Sequence, residues 1–355
     1  MQSDGQPIIA VDVMGSDLGP IEILEGVCLA LKLSSADDFR AVLVGDGNLI
    51  SSALSQRRFR AISKRVDILH AADVIAMDES PTKALRHKKN SSMAQAIELV
   101  RDGKADGALS CGNTGALVAL GTVRLRPIEG LERPVLATVI PAIDRHFILI
   151  DAGANPDPSA KQMMHSAILG SHYGKVALKM ADPRVGLLSI GTEEGKGTGL
   201  VQEAHGMLKV LGDKQIINYS GLIEGFQLFQ EQGAAIDVVL CDGFVGNVLL
   251  KVMESIADRL KTFLRRELLR NPLRAFGCLF IGGALRTVKE KLSSERYGGA
   301  PLLGLNGPLF KAHGSSDREK ICHAILIAQR FLRSGVGDEL RCQVQRANGL
   351  LREIG

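Results

Sequence analysis

Gly107-Ala108-Leu109-Ser110-Cys111-Gly112-Asn113-Thr114-Gly115-Ala116 decides the fold class. Gly107 to Leu109 reads as a short buried strand, and Leu117 to Leu125 carries apolar residues at helical spacing. Between them lies a glycine-flanked Asn-Thr. Such a turn lets backbone come close to a ligand and aims helix N-terminal amides at an anion. It serves equally well as a plain turn that caps the next helix. Both readings give strand, turn, helix, the repeating unit of an α/β fold.

The same alternation runs outward in both directions. Strand-like runs are Ile8 to Val11, Ala41 to Val44, Val66 to Leu69, Val135 to Ile140, Phe147 to Ile150, Val185 to Ile190, Ile216 to Tyr219 and Val238 to Cys241. Helical periodicity fills Ile21 to Leu33, Ser92 to Arg101 and Ala160 to Tyr173. Continuously apolar strands between helices predict a three-layer α/β/α arrangement around a mostly parallel, doubly wound sheet. The chain has 355 residues, of which 45% are hydrophobic. That length supports one large α/β domain over 1–355, or two closely packed lobes, with Pro183 and Thr192 to Gly199 as joints.

Composition removes several function classes. A net charge of +4 and an aromatic content of 4% argue against nucleic acid as a partner. Met1 to Gly5 has neither a basic region nor an apolar core, so the expectation is a cytoplasmic protein. The six cysteines, Cys28, Cys111, Cys241, Cys278, Cys322 and Cys342, lack zinc or redox spacing and read as reduced thiols. The apolar run Ala275 to Leu285 is well short of the ~20 residues that span a bilayer.

One segment, 248–291, has a different character. Between Ser255 and Lys289 stand Arg259, Lys261, Arg265, Arg266, Arg270, Arg274, Arg286 and Lys289 against Asp258 and Glu267, a local net of +6 that leaves −2 for the rest. Leu249, Met253, Ile256, Leu260, Phe263 and Leu264 form an apolar stripe, and Asn271-Pro272 breaks the helix. The expectation is a basic amphipathic helical hairpin that packs against a second copy, touches a membrane surface, or does both.

The chemistry should lie at strand ends. Asp12, Asp151 and Asp242 each follow a predicted strand, with Gly15, Gly153 and Gly243 close behind. In a parallel sheet such ends share one edge, where ligands bind. Each acid alone could simply cap a helix or pin its turn. Asn113, Asn155 and Asn247 recur beside them as neutral groups able to orient an anion. Gly191-Thr192-Glu193-Glu194-Gly195-Lys196-Gly197-Thr198-Gly199 fits neither a P-loop nor a dinucleotide fingerprint, but puts Lys196 on a glycine-rich loop. His87-Lys88-Lys89-Asn90-Ser91-Ser92 adds a second cationic corner, with Ser92 expected as the cap of a helix from Met93. Tyr297 to Gly304 and Ala312 to Ser316 read as two more turns of this kind. No serine sits in a nucleophile elbow and no histidine pair has metal-ligand spacing, so a reaction without a covalent enzyme intermediate is expected.

Asp12 to Pro20, Ser110 to Ala116, Asp151 to Asn155, Gly191 to Gly197, Cys241 to Asn247 and Tyr297 to Gly304 occur in the order seen in the bacterial phosphate acyltransferases of phospholipid synthesis. The resemblance runs from about Ile8 to about Arg333. Val13 and Ser16 stand where alanine and glycine are more usual, and Cys111 stands where alanine is usual. The resemblance implies attack of inorganic phosphate on the thioester of a long-chain acyl-[acyl carrier protein]. The acyl phosphate released would feed a membrane glycerol-3-phosphate acyltransferase. It also implies an isocitrate-dehydrogenase-like α/β/α fold, a homodimer and peripheral attachment to the inner face of the plasma membrane, with no metal and no cofactor. Lys196 and Asn113 are then the expected catalytic residues. Asp12, Gly15, Ser91, Ser92, Gly112, Thr114, Gly115, Asn155, Asp242 and Asn247 would bind phosphate or substrate, and Arg259, Arg265, Arg266, Arg270 and Arg274 would meet membrane or carrier protein. The rival readings are a nicotinamide-dependent decarboxylating dehydrogenase on the related fold and a non-catalytic binder of acyl carrier protein or lipid.

Overall fold

The computed structural model describes residues 6–35, 37–142, 144–230, 235–292, 299–335, 340 and 342–349. Its strands are β1 (Ile8–Asp12), β2 (Arg40–Gly45), β3 (Val66–His70), β4 (Gly107–Ser110), β5 (Val135–Pro141), β6 (His146–Ile150), β7 (Arg184–Leu188), β8 (Asn218–Ile223), β9 (Val238–Leu240), β10 (Ala300–Leu303) and β11 (Leu309–Lys311). Its helices are α1 (Pro20–Leu33), α2 (Gly47–Leu54), α3 (Pro81–His87), α4 (Ser92–Arg101), α5 (Thr114–Leu125), α6 (Ala160–Ala177), α7 (Gly199–Asp213), α8 (Gly243–Leu268), α9 (Pro272–Leu292) and α10 (Arg318–Arg333).

All eleven strands form one sheet in the order β3-β2-β1-β4-β11-β10-β5-β6-β9-β7-β8. Alternate residues of each strand feed cores on opposite faces, as a period of two requires. On β1, Ile9 and Val11 pack with α1 and α10, while Ala10 packs with α4 and α5. On β6, Ile148 and Ile150 pack with α6 and α7, while Phe147 and Leu149 meet Leu249 and Met253 of α8. Helices on both faces of a mostly parallel sheet give the expected α/β class.

The sheet is not parallel throughout. β10 is antiparallel to β11 and to β5, and β5 is antiparallel to β6. β6, β9, β7 and β8 therefore run opposite to β1, β2, β3, β4 and β11. This corrects the expectation that all acid-bearing strand ends share one edge: those of β1 and β4 lie at one end of the ladder, those of β6 and β9 at the other. The segment read as a turn, Tyr297 to Gly304, contains strand β10, and among its described residues only Gly304 keeps a turn conformation, with φ of 89°. Tyr297 and Gly298 lie outside the described residues.

The hairpin is present as α8 and α9. Within α8 only Gly243 and Gly246 are buried. Val252, Ile256, Leu260 and Phe263 are exposed along it at a spacing of three to four residues. Arg259, Lys261, Arg265, Arg266, Arg270 and Arg274 are exposed beside them, and Arg270 and Arg274 pair with Glu267 at 3.5 and 2.8 Å. The side chains of Arg286 and Lys289 lie outside those described. Among the described residues no helix is long and apolar enough to cross a membrane.

Candidate functional site

Strand register builds a polar row across three neighbours. Asp12 pairs with Ser110, and Ser110 pairs with Lys311. All three project to the face covered by α4 and α5, because Ala10, Ala108 and Leu309, two residues earlier on each strand, lie in that core. Asp12 is 1% exposed and Lys311 8%. Ser110 Oγ donates to Asp12 Oδ2 at 2.6 Å, the Met14 N–H donates to Oδ1 at 3.2 Å, and the Ser92 hydroxyl adds a third bond. Burial still raises the Asp12 carboxyl above its ordinary range, against the pull of those bonds and of the Lys311 charge. Burial also lowers the Lys311 ammonium to about 8.

Three loops rise from this row. Gly15 on the first approaches Gly112 on the second so closely that a Cβ on Gly15 would lie 2.8 Å from the Gly112 nitrogen and 2.6 Å from Asp12 Oδ2. The Gly112 N–H donates to Ser110 Oγ at 3.0 Å. The third loop, Ala312 to Ser316, is tied to the first by the Asp17 N–H donating to the Gly314 carbonyl at 2.9 Å and by Ser16 Oγ donating to that carbonyl at 3.2 Å. His313 Nε2 stands 4.0 Å from Glu254 on α8, which sets the base of the hairpin beside these loops. Asp12, Gly15, Ser92, Gly112 and Thr114 thus belong to one small region, and Gly115 follows at the start of α5.

Asn113 is used differently from the expectation. Its Oδ1 caps α5 by accepting from the Ala116 N–H at 2.9 Å, while Nδ2 donates to the Met77 and Glu79 carbonyls at 2.8 and 3.0 Å. Both amide N–H groups are engaged, so the side chain fixes the loop. Ser91, rather than Ser92, caps α4, accepting from the Ala94 N–H at 3.3 Å; this frees Ser92 to face Asp12. Cys111 is 1% exposed, and burial pushes its thiol up to about 12, which removes it as a thiolate nucleophile.

The second acid cluster is closed on itself. The Asp151 carboxylate accepts from the N–H groups of Leu136, Gly153, Ala154 and Asn155 at 3.3, 2.9, 2.8 and 2.8 Å, and from Asn155 Nδ2 at 2.9 Å. Asn155 Nδ2 also donates to the Pro134 carbonyl at 2.8 Å, and the Asn155 carbonyl accepts from the Gly243 N–H at 2.8 Å. Asp242 caps α8 through the Val245 N–H at 2.8 Å. Asn247 is exposed and lies against Gly153, where a Cβ would be 3.2 Å from its own. Asn155 and Asp242 therefore shape a turn; the structure does not join them to the Asp12 row.

Lys196 is exposed on the loop after β7, with its backbone N–H on the Glu193 carbonyl at 3.2 Å. Six strands separate β7 from β1 in the sheet. Lys89 lines a separate open groove of about 790 Å³ with Glu98, Arg101, Arg124 and Arg126. Among the described residues, no three His, Cys, Asp or Glu side chains gather as metal ligands. Sequence reasoning missed Lys311 altogether. Its signal was a single cation inside the apolar run Leu309-Phe310-Lys311-Ala312.

A family model described as "Fatty acid synthesis protein" matches residues 8–339. The chain is 40% identical over 338 residues to a phosphate acyltransferase of Desulfitobacterium hafniense (strain DSM 10664 / DCB-2), covering 95% of this chain and 98% of that protein. It is 37% identical over 343 residues to a phosphate acyltransferase of Trichlorobacter lovleyi, covering 97% and 96%. Among solved structures it is similar to the EutD phosphotransacetylase from Staphylococcus aureus, with a TM-score of 0.59, 19% identity and coverage of 92% and 94%. That last likeness is one of fold.

Proposed function

The chain belongs to the fatty acid synthesis protein family and is an acyltransferase, and from that premise we propose that it moves a long-chain acyl group from acyl-[acyl carrier protein] to inorganic phosphate. The observation that carries the reading is the buried Asp12–Ser110–Lys311 row under three loops that meet through Gly15, Gly112 and Gly314. In this reading the phosphate sits against these glycine-bearing loops, above a buried cation that attracts it. In the reaction a phosphate oxygen forms the new bond to the thioester carbonyl carbon. The carbon–sulfur bond breaks, and the thiolate leaves with its electron pair. Phosphate is already a nucleophile and the thiolate a fair leaving group, so orientation and charge carry most of the rate enhancement.

The apolar stripe of α8 passes the His313–Glu254 contact. In this reading the acyl chain leaves the cradle along it. The rest of the stripe packs against a second copy in a homodimer. Arg259, Arg265, Arg266, Arg270 and Arg274 face the anionic inner leaflet or the acidic carrier protein, where the acyl phosphate passes to a membrane glycerol-3-phosphate acyltransferase. Each cation near anionic lipid contributes up to about 1 kcal/mol, enough together for reversible attachment.

The test is to incubate purified protein with palmitoyl-[acyl carrier protein], with and without phosphate, and to follow acyl phosphate by mass spectrometry. Phosphate-dependent loss of thioester with matching acyl phosphate is expected. Binding of the carrier protein with no phosphate-dependent turnover would reduce the protein to a binding module.

A further inference from the structure

Lys311 is a buried cation that the motifs around it do not explain. Its Nζ donates to the Cys111 carbonyl at 3.3 Å and to the Ala312 carbonyl. Cys111 leads into the Gly112–Thr114 turn and Ala312 into the His313–Ser315 loop. One ammonium therefore holds the bases of two of the three loops. The first loop joins the same network through Asp12, which accepts from the Met14 N–H. An ammonium has three N–H groups. Two are engaged with protein carbonyls, and the third is left for a ligand oxygen above the row.

Holding a cation here is costly. A buried ammonium loses its hydration, and carbonyl bonds replace that only in part. The titratable or charged groups facing Lys311 are Asp12 on β1, Asp17 on the first loop and Cys111 beyond β4. Cys111 is a neutral thiol, and Asp12 is itself drawn toward its uncharged form by burial. His313, two residues on, stands beside Glu254 instead. Asp17 is exposed to solvent, where its charge is screened, so a bound dianion would add counter-charge at the row itself.

We propose that Lys311 is the positioning residue of the phosphate cradle: its ammonium ties two cradle loops at their bases and fixes a positive charge beneath the bound acceptor. The proposal rests on the reading that this cradle takes phosphate.

The experiment is steady-state kinetics of the full chain with phosphate varied, for wild type, Lys311→Met, Lys311→Arg and Gly15→Ala, from about pH 6.5 to about pH 9.5. Lys311→Met should raise KM for phosphate by about 10- to 100-fold, the size of a lost charged hydrogen bond, and leave KM for the acyl donor unchanged. Wild-type kcat/KM for phosphate should fall as pH rises through about 8, where the ammonium loses its proton. Phosphate ionisation only raises the dianion fraction with pH and cannot mimic that fall. Lys311→Arg, which stays charged, should lack the limb. A phosphate KM in Lys311→Met within about twofold of wild type, well inside the range of one hydrogen bond, overturns the proposal. So does a phosphate KM within about twofold of wild type in folded Lys311→Gln, the second variant should Lys311→Met not fold. Gly15→Ala separates the two readings. If it raises KM for phosphate while Lys311→Met does not, the cradle stands and Lys311 falls; if folded Gly15→Ala leaves KM unchanged, phosphate does not bind at this cradle.

Discussion

The Asp12 row and the Asp151 turn grow from the same sequence signature, an acid closing a buried strand with glycine close behind, yet they become different objects. Asp151 collects five hydrogen-bond donors from its own neighbourhood and is closed over by the start of α8. Asp12 accepts from two hydroxyls and one amide and shares its row with a buried cation. A carboxylate surrounded by backbone N–H groups is a fastener for a turn. A carboxylate that shares a buried row with a lysine belongs to a charge system that a ligand can complete. What differs is where the compensation comes from, and sequence spacing does not report it.

The largest expected effect tests the closed region. A Cβ on Gly246 would overlap the Asp151 carbonyl oxygen, with the Cys241 sulfur also 3.1 Å away. Backbone cannot move aside as a side-chain end can. Gly246→Ala should therefore lose about 3 kcal/mol or more, beyond the usual range for overpacking, measured as a shift in the urea midpoint of unfolding. A variant as stable as wild type would show that the turn is loose and that the contrast with the Asp12 row is overstated.

A paired substitution sharpens the comparison at intermediate size. Asp151→Asn puts an amide among five donors, so at least one loses its acceptor at about 1–3 kcal/mol; activity per folded molecule should stay unchanged. Asp12→Asn meets two hydroxyls that can rotate to accept, so its loss of stability should be smaller. Its pH signature should differ too. The folded carboxyl of Asp12 is raised above 3.8, so the native state holds its proton longer than the unfolded chain does. Wild-type stability then declines as pH rises from 3.8 through the folded value. Asp12→Asn should lack that share of the decline. Urea midpoints taken across acidic to neutral pH check both statements, and identical pH slopes for wild type and Asp12→Asn would contradict the second.

Much of this was legible in the sequence. Strand and helix alternation gave the layers, because runs such as Phe147 to Ile150 can be buried only between helices. At Gly15 and Gly112 two loops approach each other closely, which glycine in a sequence signals without saying what it approaches. The reversal at β10, β5 and β6 was not legible, because a strand's direction in a sheet depends on which neighbour it meets across long sequence distance. Val135 to Ile140 looks the same in either direction. The roles of Asn113 and Asn155 are hidden in the sequence for a related reason: an amide that caps a helix and one that binds a ligand obey the same local chemistry. Lys311 is inconspicuous in the sequence because a lone lysine in a short apolar run resembles an edge-strand residue, and only the register beside Ser110 and Asp12 turns it inward.

Lys196 gives the smallest expected effect and the sharpest way to break the comparison. It is exposed, and its loop follows β7, on the far side of the sheet reversal from the Asp12 row. A solvated lysine there contributes little to an anion held over Lys311, since water and salt screen exposed charges. Lys196→Ala should therefore change kcat/KM for phosphate by less than about threefold, under about 1 kcal/mol of transition-state energy. Lys209→Ala, which removes the ion pair with Glu194 on the same loop, is the control for loop rearrangement. A loss of about 10² or more on Lys196→Ala, the scale of a missing oxyanion donor, with little change in the control, would mean that the loop reaches the cradle during turnover. The two ends of the sheet would then act as one site, and the division between a closed region and an open one would describe only the unliganded protein.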